Sequence, residues 1–122
     1  MWSVWDNNPI VSWDYDGVRR SVDMEVPPAS AAVLPKHGLV SIVGTYDALG
    51  STNLRTYFPD GRLCRSYQAP NLGEMSQFAT VLELPTGQLE VVIGYQSDGV
   101  WHDVAGQLDL ASGEVSNIRR GY

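Results

Sequence analysis

Five short turn signals divide much of this chain into short runs of β-forming residues. Asp-Gly pairs occur at 16–17 and 98–99, and glycine also ends the turn signals at 59–61, 85–87 and 112–113. An Asp-Gly pair supplies the positive φ angles that tight β-hairpin turns require. So many hairpin signals in a chain of 122 residues predict an antiparallel all-β meander.

Between these turns, apolar and polar residues alternate. In 88–96 one side of the chain carries Leu89, Val91, Ile93 and Tyr95, and in 100–110 the apolar side carries Val100, Val104, Leu108 and Leu110. This period of two is typical of strands that bury one face. We expect about nine strands, a bend or bulge at Gly106, and one short helical turn at about 29–34 between prolines.

A meander of about nine strands fits a single all-β domain spanning 1–122. We expect an up-and-down barrel or half-barrel, because closure removes exposed strand edges. A two-sheet β-sandwich is the alternative. Where an edge strand stays open, it can pair with a second copy of the chain and form a homodimer.

Charge and composition narrow the class of partner. Fourteen acidic residues against eight lysines and arginines give a net charge of −6, which argues against direct binding of nucleic acid through basic charge. No apolar run is long enough to span a membrane, and the first residues do not resemble a signal peptide. With a single cysteine, Cys64, these features predict a cytoplasmic protein without disulfides.

Residues suited to catalysis or metal binding are sparse. Two histidines, His37 and His102, and one cysteine show no metal-ligand spacing. The segment 14–17 begins like a calcium loop but lacks the later ligands, and we find no glycine-rich phosphate loop. We therefore expect no enzyme activity, no metal and no cofactor.

The four tryptophans are the most informative side chains. We expect Trp2 and Trp5 to plug an open barrel end, whereas Trp101 falls on the polar side of its strand. Tryptophan, tyrosine and arginine dominate binding hot spots, so an acidic surface around Trp101 predicts a docking site for a basic protein. The expected partner-binding residues are Trp101, Asp103, Gln107, Asp109, Asp14 and Tyr15.

Two other functions are compatible with these residues. A calycin-like barrel would carry a small apolar ligand, with His102, Tyr95 and Arg20 as polar groups on its inner face. A carbohydrate-binding module would use exposed tryptophans together with Asp, Asn and Gln side chains.

Two resemblances bear on function. The segments Tyr46-Asp47-Ala48-Leu49-Gly50 and Pro59-Asp60-Gly61-Arg62 resemble one Rhs-type YD repeat, which implies a two-strand unit at 46–68. The repeat occurs once, so the β-shell that many such repeats build is not expected. In size, acidity and lack of catalytic residues, the chain is also similar to bacterial immunity proteins. That similarity implies a stoichiometric inhibitor of a basic partner, such as a toxin or nuclease domain.

Overall fold

The computed structural model describes residues 4–7, by their backbone, and residues 9–120. Within these ranges the chain is almost entirely β-structure, as the turn pattern predicts. Its elements are β1 (Val4–Asn7), β2 (Ile10–Tyr15), β3 (Val18–Asp23), β4 (Ser30–Leu34), β5 (Leu39–Val43), α1 (Tyr46–Leu49), β6 (Leu54–Tyr57), β7 (Leu63–Tyr67), β8 (Glu74–Glu83), β9 (Leu89–Ser97), β10 (Val100–Leu108) and β11 (Val115–Arg120).

The strands of the described ranges form three antiparallel sheets. The N-terminal sheet has the order β1-β2-β3, the central sheet β4-β5-β6-β7, and the C-terminal sheet β11-β10-β9-β8. None of the three closes on itself, so the predicted barrel or half-barrel is wrong. The stacking of sheet against sheet is closer to the sandwich that was the alternative.

Proline-containing links interrupt the predicted single meander. The chain passes Pro27 and Pro28 between β3 and β4, and Pro70 between β7 and β8. Proline has no N–H group to donate to a β-ladder, so pairing cannot continue through these links. The chain therefore starts a new sheet after each of them.

All five predicted turns join consecutive antiparallel strands. Asp16 and Gly17 have φ angles of 54° and 75°, and Asp98 and Gly99 have 52° and 74°. Positive φ at both central residues is the geometry of the tight hairpin turn that Asp-Gly favours. The bulge expected near Gly106 is also present, because the register of β10 with β11 shifts between Ala105 and Gln107.

Two local expectations differ from the structure. The helical turn predicted at about 29–34 is instead β4, which pairs with β5 over its whole length. The two-strand unit at 46–68 is present as β6 and β7, but its first residues form the helical turn α1. Thr45 explains this turn, because its Oγ1 accepts a hydrogen bond from the N–H of Ala48 at 3.4 Å.

Two apolar clusters hold the sheets together, and the central sheet contributes to both. The larger cluster lies between the central and C-terminal sheets and contains Leu34, Val43, Leu54, Tyr67, Ala69, Phe78, Val81, Leu89, Val91, Ile93, Val104 and Leu108. The smaller lies between the N-terminal and central sheets and contains Val11, Trp13, Val40, Ile42 and Tyr57. Strand β5 therefore buries side chains on both of its faces.

A buried asparagine links the central sheet to the C-terminal sheet. The Nδ2 of Asn53 donates to the carbonyl oxygens of Gly44 at 2.9 Å and Phe78 at 2.8 Å. Its Oδ1 accepts from the N–H of Phe78 at 2.8 Å. The Asn53 amide thus pairs with both backbone groups of Phe78, as a neighbouring strand would.

Candidate functional site

Trp101 lies on the outer face of the C-terminal sheet, near the start of β10. Its side chain is 47% exposed, although tryptophan is usually well buried. The indole Nε1 donates a hydrogen bond to Oδ1 of Asp103 at 3.0 Å. Residues two apart in a strand project from the same face, so the alternation of β10 itself brings these two groups together.

Gly94 of β9 makes room for the indole ring. It is the Cα partner of Asp103 across the ladder, and it is buried. A Cβ atom at this position would clash with Cζ2 of Trp101 and would lie 3.1 Å from Oδ1 of Asp103. The indole therefore packs against bare backbone on one side and is held by the Asp103 hydrogen bond at its edge.

Four further residues complete what we call the tryptophan face. Its first row across the sheet is Glu74, Gln96 and Trp101, and its second row is Gln77, Gly94 and Asp103. Directly paired residues share a face, so these residues lie on the same face of the sheet as the indole. The six residues include two carboxylates, two amides and no lysine or arginine.

Three acidic side chains outside the tryptophan face form ion pairs with arginine within the described residues. Among the described residues, arginines form ion pairs with Asp14 through Arg19 at 2.8 Å, with Asp60 through Arg62 at 2.8 Å, and with Glu90 through Arg119 at 2.9 Å. The backbone N–H of Arg62 and then its guanidinium lower the pKa of Asp60. Glu74 and Asp103 form no such pair within the described ranges.

Gln107 and Asp109, which we expect beside Trp101 from the sequence, lie away from it and have local roles: Gln107 is near the end of β10, and Asp109 follows β10 in the β10–β11 turn. The Oε1 of Gln107 accepts from Nδ2 of Asn117 at 2.8 Å. Asp109 accepts from the N–H of Ala111 at 2.9 Å and so stabilises the β10–β11 turn. Arg65 of β7 also binds this turn, donating to the carbonyl oxygens of Leu110, Ala111 and Ser112.

Asp14 and Tyr15, also expected beside Trp101, lie at the opposite end of the molecule. They border an open groove of about 540 Å³ between three turns, lined by Asp14, Tyr15, Asp16, Gly17, Pro35, Gly38 and Pro59. His37 Nε2 lies 2.7 Å from the carbonyl oxygen of Gly87, so the β4–β5 turn beside this groove is next to the β8–β9 turn. The β9–β10 turn beside Trp101 is at the far end of β9, whose length is about 30 Å.

The structure does not bring together His102, Tyr95 and Arg20, the three residues expected to form a ligand site on an inner face. Tyr95 and His102 are cross-strand partners whose rings stack with centroids 5.2 Å apart. Arg20, however, lies in the N-terminal sheet opposite Trp13. Its Nε is buried and has no hydrogen-bond partner among the described residues. The three residues cannot line one barrel interior, because their sheets are separate.

The tryptophans differ in environment. Trp13 is fully buried, and its Nε1 donates to the carbonyl oxygen of Pro59 at 2.7 Å. Trp2 and the side chain of Trp5 lie outside the described residues, so their expected role as plugs is not addressed. Trp101 is thus the exposed tryptophan of the described part of the chain.

Sequence reasoning missed four residues of the tryptophan face. Glu74, Gln77, Gly94 and Gln96 contribute through register across three strands, which local patterns do not reveal. The one available signal was Gly94, since glycine inside an alternating strand often marks close approach of another group.

In residues 4–7 and 9–120, no cluster of three or more histidine, cysteine, aspartate or glutamate side chains could hold a metal ion. The helix found there is far too short to cross a membrane. Comparison of the chain with protein-family models, curated proteins and solved structures found no match.

Proposed function

We propose that this chain is a protein-interaction module that binds a basic partner protein stoichiometrically through the tryptophan face. The observation that carries the proposal is the half-exposed Trp101, which Asp103 and Gly94 hold in place. The carboxylates of Glu74 and Asp103 on the same face form no ion pair with any residue that the structure describes. A fixed aromatic side chain loses little conformational entropy on binding. Exposed apolar surface that is held in place in this way favours a binding role over a packing role.

A basic partner matches the chemistry of this face. An arginine or lysine of the partner can stack on the free side of the indole, where cation–π attraction contributes about 0.5–2 kcal/mol. Glu74 and the second oxygen of Asp103 can accept its hydrogen bonds. The net charge of −6 speeds encounter with a basic protein, and this effect weakens as salt increases.

The partner class that we favour is a toxin or nuclease domain, inhibited in the cytoplasm in the manner of immunity proteins. Support comes from the small size, the acidity and the similarity in type to those inhibitors. The proposal assigns this chain no catalytic step and no cofactor. Blocking an active site requires only a stable one-to-one complex.

Affinity capture tests the proposal. The purified chain, its Trp101→Ala variant and its Leu82→Ala variant are immobilised and exposed to lysate of the cells that naturally produce the chain. Leu82 is the matched control, because it is an exposed apolar residue of the same C-terminal sheet. It pairs with Glu90 and lies away from Trp101. We expect one basic protein to be retained by the wild type and by Leu82→Ala, and to be lost from Trp101→Ala.

Calorimetry with the purified partner then gives the stoichiometry and the affinity. We expect a ratio of one to one and at least about a 30-fold loss of affinity in Trp101→Ala, which corresponds to a hot-spot residue. If the partner is an enzyme, its activity should fall in proportion to added chain. Equal retention of the same proteins by all three forms would contradict the proposal.

A second candidate function is carbohydrate binding. It is favoured by one feature, an indole packed against the sheet with the amides of Gln77 and Gln96 beside it. A sugar ring can stack on such an indole while amides and carboxylates bind its hydroxyl groups. A glycan array distinguishes the two, because binding of a neutral glycan that Trp101→Ala abolishes would favour this second function.

A further inference from the structure

A second surface lies at the other end of the molecule and does not involve Trp101. The groove of about 540 Å³ runs between the β2–β3 hairpin and the turns after β4 and β6. Its volume is within the range of about 300–1,000 Å³ that is typical of ligand sites. It is open to solvent, so it is accessible to an extended chain and does not enclose a small molecule.

The lining of the groove includes one aromatic residue, Tyr15, and two prolines. Tyr15 is 43% exposed, and Val18, its partner across the hairpin, is 48% exposed. Pro35 and Pro59 contribute rigid rings, while Gly17 and Gly38 present bare backbone. Tyrosine and proline rings are side chains that can contact the rings of a polyproline II segment, which has a preformed backbone and little entropy to lose.

Two hydrogen bonds hold turns at the groove in place without a ligand. Trp13 of the smaller cluster donates its Nε1 proton to the carbonyl oxygen of Pro59 at 2.7 Å, which fixes the β6–β7 turn. The N–H of Gly38 donates to the carbonyl oxygen of Pro35 at 3.3 Å, which closes the β4–β5 turn. A preformed groove reduces the entropic cost of binding.

Carboxylates at the border of this groove favour a positively charged ligand. Asp14 and Asp16 both border it. Asp14 already pairs with Arg19, but the two side chains are 51% and 62% exposed, and exposed pairs contribute only about 0–1 kcal/mol. An arginine from a ligand can therefore share or replace that pairing, with two-point hydrogen bonding to a carboxylate.

We propose that this groove binds an extended proline-rich peptide segment that carries arginine. The prolines contact Tyr15, Pro35 and Pro59, and the guanidinium groups bind Asp14 and Asp16. An added β-strand is disfavoured as the occupant, because the groove is bordered by turns and not by a free strand edge. The site is independent of the tryptophan face, which lies about 30 Å away along β9.

The test uses a labelled nonapeptide of three Pro-Pro-Arg repeats and two control peptides. Gly-Gly-Arg repeats keep the charge without the polyproline II conformation, and Pro-Pro-Glu repeats keep the conformation with the opposite charge. Fluorescence polarisation should show binding of the first peptide, at least about tenfold weaker binding of the second, and none of the third. Equal affinity for the two arginine peptides would overturn the proposal, because charge alone would then explain binding.

Variants and chemical-shift mapping locate the site. Tyr15→Ala should weaken binding of the Pro-Pro-Arg peptide about tenfold, and Asp16→Asn several-fold, while Trp101→Ala should leave it unchanged. Asparagine tolerates the positive φ of residue 16, so this variant keeps the turn. Backbone amide shifts of the wild-type chain should change at Gly17 and Gly38; shifts confined to the tryptophan face would refute the site whatever the variants do.

Discussion

Replacement of Asn53 by alanine should strongly destabilise the fold, because this side chain joins two sheets. Asn53 is fully buried and makes three side-chain hydrogen bonds, two to Phe78 and one to Gly44. Each contributes about 1 kcal/mol net, and a buried donor or acceptor left without a partner adds about 1–3 kcal/mol. We therefore expect Asn53→Ala to lower the free energy of unfolding by about 4 kcal/mol.

That loss has a measurable thermal consequence. A chain of 122 residues has an unfolding entropy of about 0.26 kcal/mol/K near its midpoint. A loss of about 4 kcal/mol then lowers Tm by about 15 °C. Urea denaturation followed by circular dichroism should give the same loss in free energy with an unchanged m-value.

Two further variants test whether the loss of stability comes from the Asn53 side-chain hydrogen bonds. Asn53→Asp keeps the size of the side chain but replaces the Nδ2 donor by an acceptor facing two carbonyl oxygens, so it should cost at least as much at pH 7. Asn71→Ala changes an exposed asparagine and should shift stability by less than about 0.5 kcal/mol. A cost of less than about 1 kcal/mol for Asn53→Ala, or an Asn53→Asp variant as stable as the wild type, would show that these hydrogen bonds do not hold the two sheets together.

Three other variants test particular contacts. Gly94→Ala should push the Trp101 indole off the sheet, seen as loss of the hydrogen-bonded Nε1 proton shift and as stronger acrylamide quenching; an unchanged Nε1 shift would contradict the packing described. Arg65→Lys should lower the free energy of unfolding in urea by about 1–2 kcal/mol, because an ammonium group cannot span the three carbonyl oxygens of the β10–β11 turn. An equal loss in Arg120→Lys would contradict a specific role for the Arg65 hydrogen bonds. The folded-state pKa of Asp60 is lowered, so its contribution to stability is present above its ordinary pKa of 3.8 and is lost as the pH falls through the folded value. Asp60→Asn should therefore flatten the acid limb of the stability profile, and an unchanged limb would contradict this assignment.

Local patterns determined which parts of the fold could be predicted. The Asp16-Gly17 and Asp98-Gly99 turns form where expected, because a hairpin turn depends on the φ angles of its own two residues. Division into three sheets depends instead on which strands continue a ladder across the links at 24–29 and 68–73. Nothing in the alternation of 88–96 distinguishes a strand of a barrel from a strand of an open sheet.

In the candidate site, too, the sequence predicts which residues of one strand share a face but not which separate strands come together. Trp101 and Asp103 were correctly placed on one face, because they are two residues apart in one strand. Asp14 and Tyr15 were wrongly expected in the same surface, since only the stacking of sheets decides which strand ends meet. His102 and Tyr95 do lie together, but Arg20 belongs to another sheet for the same reason.

Because the two apolar clusters differ in size, we expect the chain to have two levels of local stability. The tryptophan face is attached to the sheet that packs on the larger cluster, whereas the groove depends on the hairpin that packs on the smaller one. Partial unfolding that releases the N-terminal sheet would remove the groove and leave the tryptophan face intact. Amide protons of β2 should accordingly exchange with solvent before those of β9, and a ligand in the groove should slow the first set selectively.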